Sequence, residues 1–261
     1  MNYVQRFKSN GLFFILMLSK KTLKQKNKKK VSILIPAKDE EETLGMLLAD
    51  INSVIKENND YAWELIVIAD HCVDKTEEIA KNYGAVILNN LKSSGKGNAL
   101  RLGFEKATGD IIIMLDADYS HRAEHIPYFL KYIKDEHVGL VIGSRCLGGS
   151  DEFNLVRSLG NIILTGAVNL LFHIKLTDAL NGYKAFRRSI IQNYNFSSST
   201  FEIEIELIYA SLFQNMQIVE FPSHERARAG GEMKSQALIH GPKFLFCILK
   251  KGIQYNFRKC L

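Results

Sequence analysis

Residues 110–118 read Asp110-Ile111-Ile112-Ile113-Met114-Leu115-Asp116-Ala117-Asp118. Unbroken apolar sequence, rich in β-branched residues and stopped by polar ones, is the pattern of a strand buried on both faces; a strand with one wet face would alternate. Two carboxylates one residue apart follow it directly. In a tight turn both can reach one divalent cation. An all-oxygen pair suits Mg²⁺ or Mn²⁺, which complete their shells with substrate phosphates. Aspartate is also a common turn residue, so a solvated turn stands as the plain alternative.

The same grammar extends outward. Upstream, Val31–Pro36 (VSILIP), Glu64–Ala69 (ELIVIA) and Ala85–Leu88 read as short apolar strands. Helices are expected over 41–57, where Leu44, Leu47, Leu48, Ile51 and Ile55 fall at helical spacing, and over 75–83 and 98–107. Downstream, 125–134 reads as a helix and 138–143 as a strand. Strands alternating with helices imply an α/β fold with a mainly parallel sheet covered by helices, and chemistry beyond the carboxyl ends of its strands. The second half is less regular. Helices are expected over 155–172 and 201–213, strands over 182–186 and 217–221, a polar glycine loop over 227–236, and a basic amphipathic helix over 242–257 that breaks or bends near Gly252. With no internal repeat, residues 31–239 read as one domain, with a nucleotide half (31–145) and an acceptor half (146–239), flanked by segments 1–30 and 240–261.

Charge separates the domain from its ends. The net charge is +6, yet residues 1–30 carry nine Lys or Arg and no acid, and residues 240–261 carry five and no acid. That leaves 20 basic against 28 acidic residues in 31–239, so the body is acidic. A duplex-binding domain would carry its basic stripe on the folded body, and no nucleic-acid partner is expected. The four cysteines have neither CxxC spacing nor a disulfide framework. The apolar run from Gly11 to Leu18 is too short to span a bilayer, for which roughly 20 residues are needed. Followed by Lys20, Lys21 and further lysines, it reads as an interfacial membrane anchor or, more plainly, as a solvated charge run. The C-terminal helix has the same composition; its rival reading is a core helix packed on the domain.

Three further motifs follow elements of the series. Pro36-Ala37-Lys38-Asp39-Glu40 ends the first strand, and Asp39 there is either a ligand-facing acid or an N-cap. Asp70-His71-Cys72-Val73-Asp74 ends the second; Asp70 could read a base or ribose, Asp74 suits a cap, and His71 with Cys72 is better read as packing than as metal ligation. Ser94-Gly95-Lys96-Gly97-Asn98 opens a helix, where close backbone approach and Lys96 favour an anion, although P-loop spacing is absent.

In order, IPAKDE, IADHCVDKT, GKGNAL and MLDAD resemble the nucleotide-binding half of inverting family 2 glycosyltransferases with the GT-A fold. The second half resembles the branch of dolichyl-phosphate mannose synthase and bacterial polyprenyl-phosphate glycosyltransferases, through Ile142-Gly143-Ser144-Arg145, Thr177–Phe186, Glu202–Glu206 and Arg226–Lys234. The resemblance implies that Pro36, Ala37 and Glu40 line the nucleotide pocket, that Asp70 contacts the base and that Lys96 lies near the nucleotide. It implies that Asp116 and Asp118 hold the metal and diphosphate, and that Arg228 and Lys234 approach phosphates. Ala69, Lys38-Asp39 and Met233 depart from the commoner family residues and blur which nucleotide and sugar are used. The QxxRW motif of processive synthases is absent.

The implied activity is metal-dependent (Mg²⁺ or Mn²⁺) inverting transfer from a UDP- or GDP-sugar to a polyprenyl phosphate, at the cytoplasmic face of the cell membrane. A glycan hydroxyl is the alternative acceptor, and a non-catalytic nucleotide-sugar-binding membrane protein the alternative class. A hydroxyl acceptor needs a general base. Asp178 is the candidate for it, with a structural role as partner of Arg145 as its alternative. A sugar-phosphate nucleotidyltransferase would carry a glycine-rich loop after its first strand, and PAKDE has none.

Overall fold

The computed structural model describes residues 28–152, 155–230 and 237–259. The expected N-terminal anchor lies outside them, apart from its last three residues. Seven strands, β1 (Lys30–Ala37), β2 (Ala62–Ala69), β3 (Val86–Asn89), β4 (Ile111–Met114), β5 (Val138–Ser144), β6 (Lys184–Arg187) and β7 (Gln217–Pro222), form one sheet in the order β3-β2-β1-β4-β6-β5-β7. All pairings are parallel except those of β6, which runs antiparallel to both β4 and β5. The helices are α1 (Leu44–Glu57), α2 (Thr76–Asn82), α3 (Lys96–Lys106), α4 (Ile126–Tyr132), α5 (Arg145–Gly148), α6 (Leu155–Phe172), α7 (Arg188–Gln192), α8 (Ile203–Phe213) and α9 (Ala237–Lys259). The short helices α5 and α7 were not expected from the sequence.

The unbroken apolar strands have the expected cause. Val31, Ile33 and Ile35 of β1 pack with Leu44, Leu47, Leu48 and Ile51 of α1 on one face of the sheet. Leu34, with Ile112 and Met114 of β4, packs with Leu100 and Phe104 of α3 and with α8 on the other. Each such side chain contributes about 1.5–3 kcal/mol when fully buried, so these strands hold the centre of the sheet, and their carboxyl ends share one edge.

Two expectations about helices change. α9 runs through Gly252 without a break. A side chain at Gly252 would stand 2.7 Å from Leu171 Cβ, so this glycine serves the close approach of α9 to α6. Within α9, Phe244 and Ile248 are buried against the domain, whereas Phe246, Leu249, Ile253 and Phe257 are exposed. The helix therefore packs on the core along one face and leaves a second apolar face uncovered. α6 buries only Thr165, Val168 and Phe172 of its 18 residues.

Below the site the sheet is pinned by Glu64 on β2. Its carboxylate accepts from the Ser32 hydroxyl on β1, from the Thr108 amide and hydroxyl before β4, and from Lys30 Nζ. Burial alone would raise this carboxyl, but these bonds, led by Ser32, outweigh it and bring it from 4.5 to about 2. A depressed acid contributes stability that is complete above its ordinary value and lost as pH falls through its folded value. Glu64→Gln is therefore expected to cost about 2 kcal/mol at pH 7. The difference from wild type should shrink between pH 4.5 and about 2, measured by urea denaturation across that range.

Candidate active site

A cleft of about 1220 Å³ opens along the carboxyl ends of the central strands. Pro36, Ala37, Glu40, Asp70, Lys96, Asp116, Asp118 and Arg228 all line it. Lys234 lies outside the described residues.

The centre of the cleft is a chain of alternating charges. Lys96 Nζ, at the start of α3, lies 2.6 Å from Asp116 Oδ1 and 3.1 Å from Glu204 Oε1. The other Glu204 oxygen lies 2.7 Å from Lys184 Nζ, and Lys184 also donates to the carbonyls of Ala179 and Asn181. Glu204 and Lys184 are fully buried. Desolvation opposes the charge on Lys96, but Asp116 and then Glu204 outweigh it and hold its pKa above the usual lysine value. Asp116 is likewise held well below the carboxylate range by Lys96 and His121 against desolvation. Gly182 makes room for this contact, since a Cβ there would stand 2.7 Å from Lys96 Nζ and 2.8 Å from Asp116 Oδ2.

The sequence reading leaves Glu204 and Glu206 open between site residues and solvent-facing ones, although a signal was present. Glu204 and Glu206 are two residues apart on an apolar helix, so they point about 200° apart and cannot both face water. The structure buries both: Ile203–Ser211 is buried on every face. Glu206 accepts from the amides of Ser197 and Ser198 and lies 3.0 Å from Lys251 Nζ, tying α9 to the domain.

Asp118 takes a different cation. Its Oδ2 lies 2.7 Å from Arg228 Nη2, and its Oδ1 accepts from the amide and hydroxyl of Ser120. His121 is 2% exposed and stacks on Tyr183; its Nε2 has no hydrogen-bond partner and faces Asp116 Oδ2 at 3.7 Å. Asp116 and Asp118 both line the cleft, and carboxylates as hard oxygen donors fit a divalent ion of the Mg²⁺ or Mn²⁺ type.

At the β1–β2 end, Asp70 organises its own loop. Its oxygens accept from Asn90 Nδ2 and from the Ser94 hydroxyl and Gly95 amide, with the residue 3% exposed. Gly95 is required by its positive φ of 147° and by the backbone of Ser199, 2.3 Å from where its Cβ would lie. Asp39 is not an N-cap. Its backbone is left-handed, at φ 50°, and its carboxylate accepts from the Val73 amide. Asp74 accepts from the amides of Thr76 and Glu41, which joins the two loops at the start of α2, whose N-cap position is Lys75. Asp39, Cys72 and Asp74 lie close enough for a metal, but both carboxylates already hold backbone amides, and His71 bonds Lys92 O instead.

At the other end, Asp178 departs from its expected role as base. It is fully buried and does not line the cleft. Arg145 donates to it from Nε, Nη2 and the backbone amide, and Asn161 Nδ2 adds another bond. Burial would raise its pKa, but Arg145 outweighs this and lowers it. A carboxylate so engaged orients Arg145, with its oxygens taken up by these donors. Arg145 itself lines the cleft, with Arg157 and Asn161 of α6.

The sequence profile of glycosyl transferase family 2 matches residues 32–194. The chain belongs to that family. A dolichol-phosphate mannosyltransferase of Pyrococcus furiosus is 26% identical over 229 residues, 85% of this chain and 64% of the relative. A hexosyltransferase of Haloferax volcanii is 28% identical, over 77% of this chain but 48% of its own length. The chain thus spans about half to two thirds of these two relatives. It matches 96% of the dolichyl-phosphate hexose transferase of Haloferax volcanii, at 25% identity over 87% of this chain. Among solved structures, glucosyl-3-phosphoglycerate synthase of Mycobacterium tuberculosis, in complex with Mn²⁺, UDP and its product, superposes with a TM-score of 0.70 and 21% identity. That match covers 85% of this chain and 80% of the synthase. The fold of this family 2 glycosyltransferase is GT-A.

The reassignment of Asp178 has a direct test. Asp178→Asn in this glycosyltransferase should lower folding stability by about 3 kcal/mol in urea denaturation, because it strips a buried ion pair of one charge. A residue serving only as a base would leave the unfolding transition where it is.

Proposed function

We propose that this glycosyltransferase moves a hexosyl group from a UDP- or GDP-sugar to a polyprenyl phosphate at the cytoplasmic face of a membrane. One observation carries the reading: the cleft is continuous from the nucleotide-side loops to the exposed apolar helices. Lys96, Asp116, Arg228, Arg145 and Arg157 line it together with Ile162 and Leu164 of α6, Phe201, and Phe244 of α9. Cations for phosphate groups and an apolar wall share this one cleft, which is the combination a sugar donor and a lipid phosphate would meet. The names of the Pyrococcus and Haloferax relatives support the same acceptor.

The outer faces of these helices support the membrane part. α6 is 18 residues long with mean hydropathy 1.5 and 17% of it buried, and Leu159, Ile163 and Leu170 are exposed. Phe246, Leu249, Ile253 and Phe257 continue the apolar surface on α9, with Lys243, Lys250, Arg258 and Lys259 along the same helix. Apolar side chains beside lysines and arginines suit insertion at the headgroup level of an anionic leaflet.

Chemically, an ionised phosphate oxygen of the acceptor attacks the anomeric carbon while the nucleoside diphosphate leaves from the opposite face, inverting that centre. Such a nucleophile needs no general base, in keeping with the engagement of Asp178. Lys96 and Arg228 stabilise the charge growing on the leaving diphosphate. Mg²⁺ or Mn²⁺ on Asp116 and Asp118 would neutralise more of it.

Release of nucleoside diphosphate from a panel of UDP- and GDP-sugars should depend on Mg²⁺ or Mn²⁺, rise on adding polyprenyl phosphate, and fall about 100-fold in Asp118→Ala. Release indifferent to the lipid would move the acceptor to a hydroxyl. Ile163→Asp with Phe246→Asp should abolish sedimentation with anionic vesicles while retaining nucleotide binding measured by calorimetry. Retained sedimentation would remove the membrane face from the proposal.

A further inference from the structure

Tyr119, directly after Asp118, adopts a left-handed backbone at φ 63°. For an aromatic residue this conformation is strained and persists only where the surroundings impose it. The surroundings are specific. Thr43, at the N-cap of α1, and Asp50, within it, both reach the turn: the Thr43 hydroxyl donates to Ala117 O, and Asp50 Oδ2 accepts from the Tyr119 hydroxyl. Arg226 closes the arrangement from the far side. Its guanidinium lies 3.8 Å from the centre of the Tyr119 ring and 3.6 Å from Asp50 Oδ2. Its Nη2 donates to His121 O and its backbone amide to Ser120 O. Two residues later, Arg228 meets Asp118. None of Asp50, Tyr119 and Arg226 lines the cleft.

We infer that Arg226, clasped by Tyr119 and Asp50, is a positioning residue that sets the Asp116–His121 turn and the Arg228 arm in one register for the donor diphosphate. The inference rests on the donor reading above and adds a residue that touches neither donor nor acceptor. Arg226 bonds two successive carbonyls of the turn and covers its strained ring, so the turn cannot relax without releasing Arg226. Arg228 lies two residues beyond that anchor and its own amide donates to Glu152 Oε1, so the clasp and Glu152 together set its reach to Asp118. The carboxylates and the diphosphate-side arginine thereby behave as one preformed unit, which lowers the ordering cost of binding.

The test is calorimetric titration of the full chain with UDP and with GDP in the presence of Mn²⁺, well below the melting transition, alongside the ligand-free melting temperature. Arg226→Gln should weaken binding about ten-fold. Arg226→Lys, which keeps the charge but not the fork of donors, should recover part of that loss. Tyr119→Phe, which keeps the ring and loses only the bond to Asp50, should weaken binding about three-fold and fold normally. In steady-state assays the change should appear in the donor KM and not in the acceptor KM. Wild-type nucleotide affinity in both Arg226→Gln and Tyr119→Phe, with only the melting temperature lowered, would overturn the inference and leave a structural staple. Should Arg226→Gln fail to fold, unchanged affinity in Arg226→Lys and Tyr119→Phe overturns it equally. A wild-type protein that bound neither nucleotide would overturn the donor reading and this inference together.

Discussion

A carboxylate inside a helix that is buried on every face has to be neutralised, and at Glu204 two lysines do so. Lys184 arrives from the antiparallel strand β6 and Lys96 from the start of α3. Because Lys96 is held from behind by Glu204, its ammonium projects to Asp116 at the end of β4. The chain of charges Lys184, Glu204, Lys96, Asp116 thus joins two halves of the sheet that are far apart in sequence. An unpaired member would cost more than the pairs contribute, because removing one charge strands another in a low-dielectric setting. Gly182 and Gly97 follow from it: a side chain at Gly182 would meet Lys96 and Asp116, and one at Gly97 the backbone of residues 198–200.

The two ends of the cleft are built on the same principle with different partners. On the β1–β2 side, Asp70 spends its oxygens on Asn90, Ser94 and Gly95 and so shapes the loop that delivers Lys96. On the α6 side, Asp178 spends its own on Arg145 and Asn161 and so turns Arg145 into the cleft. In both cases the buried acid is the support, and residues it holds (Ser94 and Gly95, or Arg145) line the cleft. The further support of Arg226 on Tyr119 belongs to the same pattern, with a strained backbone taking the place of a buried charge.

The apolar surface of α6 and α9 is a different kind of feature. Its residues are exposed although the helices pack closely on one another at Gly252 and Leu171, so the exposure is not a failure to find a partner helix. Patches of this kind on a folded domain mark interaction surfaces. The composition of the C-terminal helix was readable in advance, but not that Phe244 and Ile248 would turn inward while Phe246 and Leu249 stay outside.

Unbroken apolar runs, each closed by a short polar motif, were enough to specify the strand and helix series of the first half and the family it resembles. A strand buried on both faces leaves no other composition available, and the motifs lie where an α/β sheet binds ligands. The helix over 155–172 was likewise legible, because its apolar residues repeat along a continuous segment. What only the tertiary structure decided was the partner of each acid. Asp178, Asp39 and Glu204 are each compatible in sequence with a base, a cap or a solvated charge, and the choice depends on which cation or amide a distant segment brings within 3 Å or so. Those partners lie 33 residues away for Asp178, 34 for Asp39, and 20 and 108 for Glu204. Local pattern carries burial and period, whereas pairing of charges is a property of the folded surface, and that is why the fold was written in the chain but the duties of its acids were not.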